Sequence, residues 1–327
     1  MKIHYRVRGQ GVEIVRCFGT DPVIVIPGMI EGKPVIRAAA YTFSARKSQE
    51  EDDVCVFETE DHGLFREQER MLAGEDVERV DFPDTMKEIG NYIFYGCRNL
   101  RQISFSDRLM SVGSGAFTGC RSLRRLAVRL TQGERSCVKE ILGELWQRID
   151  VRFLRADSGA EALGNFPVEV RLVFPEHYEE AVENTPARIL FTQHHGSGNN
   201  YRQCFYNKEV DYRKYDELFY VARVHDQVDV LCDLVFSRLM YPYRLEKDGE
   251  MAYEDYIRDS EKEVAEYLTN REDLDALRQI SARGLWQENA LDQAADYAAR
   301  TKKGEVLAFL MEEKHRLFPV RKKKFEL

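Results

Sequence analysis

The chain has 327 residues, 43% of them hydrophobic and 32% charged, with a formal net charge of −8. That length supports two or three domains with real cores, and that balance of side chains describes a soluble globular protein. Residues 1–130 carry 19 basic and 19 acidic side chains while the remainder carries 29 against 37, a surface that repels phosphate backbones and excludes nucleic-acid binding as a main task.

Residues 1–20 alternate apolar and polar side chains (Ile3, Tyr5, Val7, then Val12, Ile14) and predict a hairpin around Gly9-Gln10-Gly11. This opening lacks the apolar core of about 7 to 15 residues that an export signal needs, and no run reaches the roughly 18 apolar residues of a membrane helix. The expectation is a cytoplasmic protein that meets no membrane. Residues 46–76 interrupt the pattern: a charged loop RKSQEEDD, a strand over Val54–Phe57, then a short helix from Leu64 ended by Gly74. Glu58, Glu60, Asp61 and His62 cluster there. Without calcium-loop spacing they read as a solvated turn.

From Val77 to Val128 one pattern is written twice at a spacing of 23 residues and begun a third time. The strand part is apolar-x-x-apolar-x-apolar: Val77, Val80, Phe82; Leu100, Ile103, Phe105; Leu123, Leu126, Val128. Ile89-Gly90 and Val112-Gly113 follow, then Phe94, Gly96-Cys97 and Phe117, Gly119-Cys120. The phenylalanines and cysteines should point inward and stack on their counterparts in the next coil, and the glycines should supply backbone shapes a side chain obstructs. The spacing falls within the period of roughly 20 to 29 residues of leucine-rich repeats, and IGNYIFYGCRNLRQISFSDRLMSVGSGAFTGCRSL resembles the BspA-like leucine-rich repeat family. A weaker copy runs from Val23 to Ala45, where Ile26-Pro27 parallels Phe82-Pro83 and Phe43 parallels Phe94. Its turn is five residues longer, as suits a terminal coil. The resemblance implies a short, right-handed leucine-rich repeat solenoid over residues 1–130; with the all-α, helical-repeat-like region read from apolar spacing in residues 211–327, the chain is expected to be α+β.

Beyond Val128 the 23-residue register stops. Val138, Ile141, Leu142, Leu145 and Ile149 share a helical face, VRFL reads as a strand, and VEVRLVFPEHYEEAVEN reads as strand, Pro175 and a short helix. Residues 131–210 are either divergent coils or a separate α/β domain. In ILFTQHHGSGNNYRQCFY, residues 189–206, His194, His195 and Cys204 are candidate metal ligands and Gly196-Ser197-Gly198 a candidate phosphate approach. Zinc takes four ligands and no phosphate-loop or nucleophile-elbow spacing is present, so a hairpin turned by GSGNN is the plainer reading. Seven cysteines without a C-x-x-C pair imply neither a disulfide framework nor a zinc ribbon.

Residues 211–327 read as helices. Leu218 to Leu239 keep a three-four spacing up to Pro242, which would put His225 and Cys232 on one helix; Tyr253–Leu268, Leu274–Arg283, Ala290–Arg300 and Glu305–His315 follow. The last pair resembles the helices of an ankyrin repeat, with Ala294, Ala298, Val306 and Leu310 as inter-helix core. Arg321–Lys324 form a basic tail.

No cofactor is implied. The leading expectation is a non-enzymatic scaffold that binds a protein partner through outward ladders: Glu78, Arg101, Arg124; Arg79, Gln102, Arg125; Asp81, Ser104, Ala127. The alternatives are a metal-binding protein or enzyme built on the 194–204 stretch, and the surface adhesin that the family resemblance suggests.

Overall fold

A computed structural model describes residues 1–46, 53–59, 70–155, 168–184 and 189–319, with the side chains of 182–191, 193 and 194 outside the description. The chain divides into two compact units, Met1–Asp211 and Tyr212–Leu327. The charged loop after Arg46, the candidate ligands Glu60, Asp61 and His62, and the basic tail lie outside the described residues.

In the first unit β1 (Lys2–Arg8) and β2 (Gly11–Gly19) form the expected hairpin, with Val7 opposite Val12. Then come β3 (Val23–Val25), β4 (Met29–Ile30) and β5 (Lys33–Ala38). β4 and β5 pair antiparallel around Glu31-Gly32, both at positive φ, a two-residue turn suited to strand twist. This small hairpin absorbs the longer turn of the first coil. β6 (Cys55–Glu58) extends the sheet beside β1. The helix expected to end at Gly74 is corrected in its described part: Arg70–Met71 form β7 on the end of β2, and Gly74 begins a 3-10 turn. Leu72 is buried and donates its N–H to Cys17 O, so sheet pairing overrides local helix propensity.

The coils continue with β8 (Arg79–Asp81), β9 (Glu88–Ile89), β10 (Gln102–Ser106), β11 (Ser111–Val112), β12 (Arg125–Leu130), α1 (Val138–Gly143), β13 (Ile149–Arg155) and β14 (Val168–Phe174). One sheet has the order β14-β13-β12-β10-β8-β3, parallel from β3 to β13 and closed by antiparallel β14. Ile24, Val80, Ile103, Leu126 and Val151 form a single buried row across it. The pairing of Leu126 with Val151 shows that the next rung comes after 25 residues rather than 23, a slip that hides it from a fixed-period reading. The second sheet has the order β11-β9-β5-β2-β1-β6.

On the third side of each coil the phenylalanines stack as expected: Phe43 on Phe94 with centroids 5.3 Å apart, Phe94 on Phe117 at 5.6 Å. The thiols of Cys97 and Cys120 each donate to a carbonyl of the adjoining coil, Phe43 O and Phe94 O, both at 3.2 Å. The repeat glycines serve two different needs. Gly96 and Gly119 have φ of +77 and +86, but Gly90 and Gly113 are needed for proximity. A Cβ on Gly113 would sit 2.3 Å from Asn91 N, and one on Gly90 2.4 Å from Ala40 N. Gly113→Ala is therefore expected to destabilise the solenoid by about 1 to 3 kcal/mol, read as a lowered urea midpoint; an unchanged midpoint would refute the close stacking.

Past the repeats, β15 (Tyr178–Asn184) and β16 (Ile189–His195) pair antiparallel. The short helix expected after Pro175 is thus a strand, and the expected hairpin over 189–206 is replaced by this one. The residues GSGNN turn into a one-turn helix, α2 (Gly198–Tyr201), before the small ribbon β17 (Phe205–Tyr206) and β18 (Glu209–Val210).

The second unit contains α3 (Tyr212–Glu217), α4 (Phe219–His225), α5 (Val228–Met240), α6 (Lys247–Asp259), α7 (Glu261–Arg271), α8 (Leu274–Ala282), α9 (Glu288–Arg300) and α10 (Gly304–Leu317). Two expected long helices are each broken. Asp226 and Gln227 are extended between α4 and α5, which puts His225 and Cys232 on different helices, and Ser260 separates α6 from α7. Ala294, Ala298, Val306 and Leu310 are buried. Among the described residues no helix is long and apolar enough to cross a membrane.

Candidate interaction surface

The outward rows of the six-stranded sheet follow from its register. Val23, Arg79, Gln102, Arg125 and Asp150 occupy one row; Val25, Asp81, Ser104, Ala127 and Arg152 the next but one. Glu78, Arg101 and Arg124 lie at the entry to the strands, where Arg101 N donates to Glu78 O at 2.8 Å and Arg124 N to Arg101 O at 3.0 Å. Arg79, Arg101, Arg124 and Arg125 are exposed; Glu78, Asp81, Gln102 and Ala127 are half-buried. Ser104 is the correction among them: it is 5% exposed, because a short side chain in a central rung lies below its longer neighbours. Val25, 59% exposed at the sheet edge, adds apolar surface.

Charge on this face is ordered. Arg79 pairs with Asp81 at 2.7 Å, Arg129 with Asp84 at 2.7 Å, Arg155 with Glu169 at 2.7 Å, and Arg152 and Arg171 share Asp150 at 3.4 and 2.7 Å. Arg124 donates to the backbone carbonyls of Arg121 and Leu123 at 2.8 and 3.0 Å. Neither Arg101 nor Arg125 has a carboxylate within ion-pair reach among the described residues. The result is a polar face whose charged groups come from residues that the repeat pattern leaves free.

The other candidate stretch surrounds the end of β16. His195 ends β16, stacks on Tyr178 at 4.4 Å and has Nε2 3.3 Å from Glu180 Oε2; His194 lies opposite Glu179 in the ladder, its side chain outside the description. A cleft of about 200 Å³ is lined by His177, Tyr178, His195, Gly196, Asn199 and Asn200. Cys204 is not among these residues; it is buried with its Sγ 3.9 Å from Asn200 O. Among the described residues no three His, Cys, Asp or Glu side chains are placed to hold one metal ion. A Cβ on Gly198 would lie 2.2 Å from Pro175 O, so that glycine answers to packing.

Sequence reasoning missed what holds this region. Arg202, 6% exposed, donates to five carbonyls: Leu142, Leu145, Pro175, Gly198 and Gln147, at 2.6 to 3.2 Å. Burial pulls its guanidinium down to about 10. Of those carbonyls, Leu142 O belongs to the last turn of α1, where a cation is favoured, and Leu145 O lies just past the C-cap Glu144. Asp107 was missed too; its carboxylate accepts from Thr131 N, Gln132 N, Gly133 N and Thr131 Oγ1, shaping the turn after β12. Glu144 accepts from Gly115 N and Phe117 N at 2.8 and 2.9 Å, satisfying donors at the end of the phenylalanine side.

Residues 68–138 match the family described as the BspA type leucine rich repeat region (6 copies). No curated protein matches. Two similar solved structures cover 41% of this chain at 18% identity: a leucine rich cell surface protein from Faecalibacterium prausnitzii A2-165, TM-score 0.26, and a leucine rich repeat protein from T. pallidum, TM-score 0.22. The match spans 29% of the first structure's chain and 72% of the second's.

Proposed function

We propose, from the leucine-rich repeat region at residues 68–138 and the face its strands present, that this is a non-enzymatic interaction protein whose six-stranded sheet docks a protein partner. The observation that carries the reading is the five-rung parallel face, in which the buried row Ile24, Val80, Ile103, Leu126 and Val151 is committed to the core while the outward rows present exposed arginines among half-buried neighbours. A rigid face of this kind supplies contact area with little ordering cost on binding. We further propose a reducing compartment, the cytoplasm, as its location, a reading supported by the use of Cys97 and Cys120 as buried free thiols that donate to carbonyls. Burial pushes the Cys97 thiol up to about 12, which suits a structural cysteine rather than a reactive one.

Gln102→Trp sets a bulky ring in the middle of the face without changing charge. It is expected to leave Tm unaltered while reducing capture of the partner by about tenfold or more, equivalent to about 1.4 kcal/mol or more. Undiminished capture would exclude this face.

A further inference from the structure

We infer that the ridge formed by Arg101, Arg121, Arg124 and Arg125 receives a short acidic segment of the protein partner; the inference rests on the interaction reading above. From Arg98 to Arg129 the chain has seven arginines and a single acidic residue, Asp107, although the whole chain carries a net charge of −8. Asp107 is buried and spent on the turn at Thr131–Gly133. Arg98 is answered by Glu75 at 3.5 Å and Arg129 by Asp84. Arg108 is exposed just after β10. The four ridge arginines are all exposed and form no ion pair among the described residues, Arg124 donating only to the backbone carbonyls of Arg121 and Leu123.

Their placement is set by the coils. Arg101 and Arg124 enter neighbouring strands, and the N–H groups of both Arg124 and Arg125 donate to Arg101 O, at 3.0 and 3.2 Å. Adjacent rungs lie about 4.8 Å apart, so the guanidiniums repel one another unless anions come between them. Elsewhere on the sheet face each of Arg79, Arg129, Arg152, Arg155 and Arg171 has an internal carboxylate, whereas the ridge, which joins that face at Arg125, is left for an external one. Planar guanidiniums recognise carboxylates in two-point fashion. The coil before the ridge carries Glu75, Asp76, Glu78, Asp81, Asp84 and Glu88 against Arg79 and Lys87. A long polyanion such as a nucleic acid would run onto that acidic coil and be repelled; a few clustered Asp or Glu residues fit.

The test is fluorescence anisotropy of the full chain with a labelled Glu-rich peptide, at low and at physiological salt. Expected is saturable binding that weakens with salt and falls about tenfold or more in Arg101→Glu/Arg124→Glu, with Tm unchanged. Arg121→Glu alone, at an exposed position, is expected to weaken binding in the same direction should the double variant fold poorly. No saturable binding, equal binding by the charge-reversed chains, or tighter binding of a single-stranded oligonucleotide of equal charge would overturn the inference. If Gln102→Trp abolishes partner capture while the peptide fails to bind, the acidic class falls and the docking face stands. If capture ignores Gln102→Trp while the peptide binds the ridge, the ridge stands and the face falls.

Discussion

Phe94→Ala is expected to lower the stability of the solenoid unit by about 3 to 5 kcal/mol. The ring is fully buried, stacked between Phe43 and Phe117, and tilted against Phe82 at 6.2 Å. It therefore belongs to the central coil of the stack, and its removal opens a cavity with rings on both sides. Coils above and below are held by the backbone bonds Phe43 N to Ile93 O and Phe94 N to Ala116 O, which restrain them from collapsing into the space. Chemical denaturation of wild type and variant gives the difference directly. A loss under about 1 kcal/mol would mean that the phenylalanines do not share one dry column.

The second large effect lies in the helical unit. Arg238→Met is expected to cost about 3 to 5 kcal/mol, because it strands Asp216 inside the protein. Arg238 is fully buried and meets Asp216 by two parallel bonds, Nε to Oδ1 at 2.7 Å and Nη2 to Oδ2 at 2.9 Å. Tyr253 adds a third, its hydroxyl donating to Oδ1 at 2.8 Å, while Arg238 also donates to Tyr241 O and Tyr243 O. Burial lowers the guanidinium pKa, but bonding and attraction from Asp216 outweigh it and leave it raised. Removing both charges with Asp216→Leu/Arg238→Met is expected to recover part of the loss, as removal of a whole buried pair does elsewhere. Unfolding of the three chains followed by far-UV circular dichroism decides the matter. A double variant no better than the single one would show that hydrogen bonds to Tyr241, Tyr243 and Tyr253, rather than the unpaired carboxylate, set the loss.

The repeat stack was legible because each position is written at least twice. Phe94 and Phe117, Cys97 and Cys120 confirm one another at the same offset, and a chance pattern rarely repeats at so many places. Legibility ends where structure depends on a neighbour that the pattern does not name. Gly90 and Gly113 look like turn glycines in sequence, yet their reason is the backbone of the previous coil. Tyr178–Asn184 has three Glu and one Ala in seven residues and reads as helical, but the following strand β16 pairs with it residue for residue. Helical periodicity ran unbroken through Asp226 and Ser260 because the apolar spacing resumes in phase on either side. Of the proposed ladders, the row of Asp81, Ser104 and Ala127 was placed by the strand pattern, while the burial of Ser104 depends on neighbouring rungs. Arg202, Asp107 and Arg238 were illegible for a related reason: a buried arginine and a surface one have the same letter, and only the carbonyls or carboxylate around it make the distinction.

The measurement that tests the central claim most directly is photo-crosslinking from a benzophenone side chain placed at Val25, exposed on the sheet face, and at Lys87, exposed beside the second sheet. Docking on the six-stranded face predicts a covalent adduct with one partner protein from Val25 and none from Lys87, at equal labelling efficiency. An adduct from Lys87 alone, or the same adduct in equal yield from both positions, would contradict it.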